Sequence, residues 1–74
     1  MKEKDVATNT RDNIKAEMAR RGIKRGEMIE AMEIGRTTYY NRMKDPSELT
    51  IGNLMEAARL MGVSVQKLIG EGLR

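Results

Sequence analysis

Cysteine and histidine are both absent from this 74-residue chain. No disulfide can staple it, and the donor sets of the common zinc sites cannot be assembled. A cysteine-free composition suits a reducing cytoplasm. Only Ser47 and Ser64 are serines, and they fall at a turn and at a helix cap. No nucleophile–base pair is visible, so an enzyme is the least expected class. Tryptophan and phenylalanine are missing too, which leaves Leu, Ile, Val, Ala and seven Met to build a core. Methionine packs adaptably but specifies shape weakly, so modest stability and self-association are expected. No hydrophobic run approaches the length of a membrane span, and no signal-peptide pattern is present. Nothing suggests a metal, a cofactor or a small-molecule ligand. The expected setting is cytoplasmic.

What is present is helical spacing. There is no β pattern, repeat or low-complexity tract, and the chain reads as an all-α domain of five short helices. Residues 1–9, MKEKDVATN, alternate charges with almost no apolar content. They are expected to be flexible, the alternative being a basic arm on DNA, although Glu3 and Asp5 offset Lys2 and Lys4. Residues 10–74 make the domain. Thr10 is expected to cap the first helix, with Asp12 in its first turn and Ile14 and Met18 as its buried stripe beside Ala19. Arg20 and Arg21 suit the helix C-terminus, which is preferred slightly over phosphate contact, and Gly22 supplies a left-handed stop. Ile23 anchors the connection. Later, Pro46 ends the third helix, Asp45 and Ser47 suit a turn, and Leu49 pins it. Thr50 caps a fourth helix with Ile51, Leu54, Ala58 and Met61 on one face and Ala57 beside them; Gly62 ends it. Ser64 caps a fifth bearing Val65, Leu68 and Ile69, and Gly70 and Gly72 loosen the tail.

The middle of the chain, Lys24–Lys44, reads as two helices joined by a tight turn: Arg25 to Met32, with Met28, Ile29 and Met32 inward, and Arg36 to Lys44. Ile34 plugs the turn and Gly35 lets the chain enter the next helix. At 100° per residue, Arg36, Thr37, Tyr40, Asn41 and Lys44 share an arc of about 140°. Tyr39 and Met43 point to the other side. Arg can pair with guanine O6/N7, Asn with adenine N6/N7, and the Thr37 methyl can touch a thymine methyl. The plain alternative is a solvated polar face. Charge placement favours a polyanion: residues 20–44 hold seven basic against three acidic residues, a net +4, while the remainder holds seven basic and eight acidic. Lys24 and Arg25 at a helix N-terminus oppose its dipole, a conflict that a bound phosphate would remove. Tyr40 lies at the edge of the reading face, where base or phosphate contact and packing beside Tyr39 are equally open. The Arg42 stem is expected to run across Met43 with its head in solvent or on phosphate.

The ordered segments ARRGIKRGEM, IGRTTYYNRMKDPSELT and IGNLMEAARLMGVSVQKLI resemble the Cro/repressor-type (lambda repressor-like, XRE-type) helix-turn-helix family, over about three quarters of the chain. The resemblance implies a five-helix DNA-binding domain that represses transcription by occupying an operator, in the manner of a phage or prophage regulator. It implies base reading by Arg36, Thr37 and Asn41, with Tyr40 ranked below them. It places a phosphate contact at Arg25; by their own positions Lys24, Gly35, Arg42 and Lys44 complete the expected phosphate-contact set. Ile29 stands where the family prefers Ala, Glu33 where a turn Gly is usual, Gly35 where Ser or Thr caps, and Arg42 where an apolar residue packs. Glu33 then needs either positive φ or a different turn. With no second domain for ligand sensing, the chain resembles a free-standing Cro-like protein. A homodimer on a two-fold symmetric operator is expected, with Val65, Ile69 and Leu73 at the interface; the alternative is that Val65 and Ile69 only close the core. The competing functions are a DNA-binding antitoxin and a helical protein-interaction module without groove contacts.

Overall fold

A computed structural model describes residues 5–70. Its elements are α1 (Val6–Arg21), α2 (Arg25–Met32), α3 (Arg36–Lys44), a single 3-10 turn (Pro46–Glu48), α4 (Ile51–Met61) and α5 (Val65–Ile69). The described residues form no strand. None of their helices is long and apolar enough to cross a membrane. The all-α expectation therefore stands, and the bounds of α2 and α3 match those expected from spacing.

The start of α1 differs. Asp5, not Thr10, is the N-cap: its carboxylate accepts from the Thr8 amide at 2.8 Å. Asn9 and the three residues before it, expected to be flexible, are helical; residues 1–4, the rest of that segment, lie outside the described residues. Thr10 is buried in the helix and donates its hydroxyl to the Val6 carbonyl at 2.8 Å. The first turn buries little, since Val6 is 59% exposed. Apolar periodicity therefore misses it, and only the capping carboxylate marks it.

Ile14, Met28 and Leu68 are fully buried, surrounded by Met18, Met32, Tyr39, Leu54, Ala57, Ala58 and Met61. Packing pairs α1 with α5 and α4, and α2 with α4, while α3 rests on the 3-10 turn. Ile23, Ile29, Ile34, Met43, Leu49, Val63 and Val65 close the edges. One residue expected on the inward face of α4 lies outside: Ile51 is 66% exposed. Ile51 is the first residue of α4 and borders an open groove with Val6 of α1 and Ile69 of α5. Gly70 is the last described residue. At φ 96° it ends α5, and a Cβ there would sit 2.7 Å from Asn13 Nδ2, which donates to the Leu68 carbonyl at 2.8 Å.

Three helices end on a left-handed residue: α1 at Gly22 (φ 68°), α4 at Gly62 (φ 70°) and α2 at Glu33 (φ 57°, ψ 44°). The turn thus takes the positive-φ solution at a residue that carries a Cβ. That conformation costs an L-residue roughly 1–2 kcal/mol. Glu33 is exposed. Glu33→Gly should relieve the strain and raise stability by about 0.5–1 kcal/mol after the entropy gained by the unfolded chain is deducted. Thermal melting should show an increase of several degrees; an unchanged or lower Tm would contradict strain at this position.

One buried charge ties α1 to α5. Glu17 is 5% exposed and pairs with Arg20 at 2.6 Å, Arg21 at 2.9 Å and Lys67 at 3.8 Å. The Arg21 hydrogen bond, aided by the three cations and opposed by burial, holds its carboxyl below the ordinary value of 4.5. A depressed folded pKa contributes stability that is present above the unfolded pKa and is lost as pH falls through the folded one. Melting temperature should therefore drop as pH falls below about 4.5. Glu17→Gln should be less stable at neutral pH and show a shallower acid slope. Equal slopes for the two proteins would remove Glu17 from the acid transition.

Candidate nucleic-acid interface

Three residues, Glu33, Ile34 and Gly35, connect α2 to α3. Ile34 packs against the core, and the chain enters α3 through Gly35 at φ −76°, ψ 162°. That is ordinary extended backbone, and a Cβ at Gly35 would meet nothing within 4 Å. Glycine is therefore not required there for entry. Its consequence is a helix start with no side-chain cap, so the first amides of α3 lack a side-chain acceptor.

Tyr39 fixes which way α3 faces. It is 3% exposed and donates its hydroxyl to Met18 Sδ at 3.9 Å. Burial raises its phenol pKa, with the Arg25 charge opposing. With Tyr39 inward and Met43 half-buried behind it, Arg36, Thr37, Tyr40, Asn41 and Lys44 all emerge exposed. Among the described residues, the side chains of Arg36, Thr37, Asn41 and Lys44 form no hydrogen bond or ion pair. The five residues that helical geometry groups on one arc are thus presented together.

Arg25 and Tyr40 join α2 to this face. The Arg25 guanidinium lies over the Tyr40 ring, 5.8 Å from its centroid, and that ring meets Tyr39 edge-on at 5.6 Å and 70°. The packing alternative for Tyr40 is thus present, while 40% exposure leaves part of the ring open. Beneath the pair lies an open, mainly apolar cleft of about 370 Å³ between α1, the start of α2 and α3, bordered by Lys15, Met18 and Met43. Lys24 is exposed, and its amide donates to the Glu27 carboxylate at 2.8 Å. The expected clash between two cations and the α2 dipole is therefore already eased by an acidic group in the first turn. The mismatch does not by itself call for a phosphate.

Arg42 departs from the phosphate set. It is half-buried, and its Nη1 donates to Asn53 Oδ1 on α4 at 2.7 Å. Asn53 is 5% exposed, and the same oxygen accepts from the Thr50 amide at 3.1 Å. The head is thus turned toward the α4 N-terminus. Arg11, which no sequence pattern singled out, donates from Nη1 to the Met43 carbonyl at 2.8 Å and from Nε to Asp12 at 3.0 Å. Its carbonyl partner lies 32 residues away, beyond any local periodicity.

Of the expected interface residues, Val65 packs half-buried against the core. Ile69, also half-buried, lines a shallow apolar groove with Val6, Pro46, Leu49 and Ile51. Leu73 lies outside the described residues. Among the described residues no group of three or more His, Cys, Asp or Glu could hold a metal. Comparison of the chain with protein-family models, curated proteins and solved structures found no match.

Proposed function

We propose that this chain is a sequence-specific double-stranded DNA-binding protein of the Cro/repressor helix-turn-helix type. In this reading α2 and α3 form the helix-turn-helix, and α3 enters the major groove. The observation that carries it is the exposed set Arg36, Thr37 and Asn41 on one face of α3, unpaired among the described residues. Unpaired donors and acceptors on a short helix, offered away from the core, are what base-edge recognition needs. Lys24, Arg25, Lys44 and the open amides after Gly35 flank that face as phosphate contacts. A homodimer through the α5 region, bound to a two-fold operator as a nucleoid-associated phage or prophage repressor, completes the proposal.

The test is selection of bound sequences from a random duplex library, followed by titration of the selected and scrambled duplexes at several salt concentrations. A two-fold related motif bound with a clear preference supports the reading. Binding without preference, or none at low salt, rejects it.

Arg25 carries a separate expectation. Held over Tyr40, its guanidinium can reach a phosphate without first losing rotamer freedom. Arg25→Ala should weaken all duplexes about equally and lower the salt slope by about one unit. A loss confined to the selected sequence would contradict a phosphate role.

A further inference from the structure

Two scaffold bonds converge on neighbouring residues of α3. The Arg42 side chain reaches α4 through Asn53 at 2.7 Å, and the Met43 carbonyl receives Arg11 from α1 at 2.8 Å. One turn earlier, Tyr39 is held in the core. Met43 is among the last four residues of α3, whose carbonyls have no partner within the helix, so Arg11 acts there as a cationic cap from another helix. Asn53 is itself fixed, because its amide donates to Thr50 Oγ1 at 3.0 Å while its oxygen takes the Thr50 amide.

We infer that Arg11 and Arg42 are positioning residues that set the rotation and tilt of α3, and thereby the specificity of its exposed face. The role rests on the DNA reading above, but the clamp itself is a property of the free protein. Tyr39, with half-buried Met43 behind it, seats α3 through apolar contacts, which leave a small rotation about the helix axis open. Bonds to two different helices at residues 42 and 43 remove that freedom. A recognition constellation has to be held within about 0.5 Å and 10–20° of its working geometry. Arg36, Thr37 and Asn41 stand out from the same short helix, so a change in its rotation displaces all three tips together. Arg11 and Arg42 therefore act on base discrimination without touching a base.

The experiment compares Arg11→Met, Arg42→Met and Asn53→Leu with the wild type in the full chain. Affinity for the selected and a scrambled duplex is measured across salt. Residual dipolar couplings of the amides of residues 36–44 are measured in the free protein against those of α1 and α4. The clamp predicts altered couplings in α3 with those of α1 and α4 retained. It also predicts about a tenfold loss of preference for the selected duplex and an unchanged salt slope. Asn53→Leu changes no charge and should reproduce the Arg42→Met loss. Unchanged α3 couplings in both arginine variants would overturn the clamp. So would equal losses on both duplexes with a slope reduced by about one, which is the mark of phosphate contacts. If the wild type prefers no duplex, the DNA reading fails, and the couplings still decide whether the two arginines orient α3.

Discussion

Arg36→Ala is expected to lower affinity for the selected duplex by about tenfold or more, while affinity for a scrambled duplex falls only by the share of one charge. A bidentate Arg–guanine pair carries about 1–3 kcal/mol of discrimination. That energy is recovered only where the guanine is in register with the side chain. Arg36 is the first residue of α3, exposed and without an intramolecular partner among the described residues, so its removal leaves nothing buried and unpaired. Its loss should accordingly leave Tm nearly unchanged, which separates a binding effect from unfolding. Asn41→Ala should behave alike at a different base pair, because Asn41 lies on the same exposed arc about 1.4 turns further on. Titrations of both variants against both duplexes at one salt concentration check this. Equal losses on the two duplexes for both variants would show that α3 does not read sequence.

Met28→Ala is expected to remove about 2–5 kcal/mol of stability, the range for deleting a buried Met, Leu or Ile side chain. A chain of this size is stabilised in total by about 4–11 kcal/mol. The loss is therefore a large share and corresponds to a Tm drop on the order of 10–30 °C. Met28 is fully buried, on the helix that packs against α4, and no aromatic other than Tyr39 helps to fill the core. The conservative Met28→Leu keeps the volume and should cost less than about 1.5 kcal/mol. Denaturant unfolding of the two variants is the measurement. Similar stability for Met28→Ala and the wild type would mean that the core collapses into the space without loss.

Local signals made much of this architecture readable. Gly22, Gly62, Thr50 and Ser64 mark helix ends through their own backbone preferences and short side-chain bonds, which depend on a few adjacent residues. The same holds for the left-handed Glu33: a tight turn between α2 and α3 leaves few backbone solutions, and positive φ is one of them. Helical geometry alone also groups Arg36, Thr37, Tyr40, Asn41 and Lys44 on one arc, since it needs only 100° per residue. Glu17 with Arg20 and Arg21 was open to the same treatment, being spaced three and four apart, yet its burial follows from α5 closing over it.

The remaining features carry no local signal, because each depends on how separate helices are set against one another. Ile51 has the spacing of an inward residue and is exposed, because it lies on an open groove between α1, the 3-10 turn and α5. Whether Arg42 turns to solvent or to α4 is a choice between rotamers, and the proximity of Asn53 makes it. Arg11 meets Met43 across 32 residues, Lys67 reaches Glu17 from α5, and Arg25 lies over Tyr40 because α2 and α3 pack as they do. Periodicity assigns a residue to a face. The partner it finds on that face is set by the packing of the whole domain.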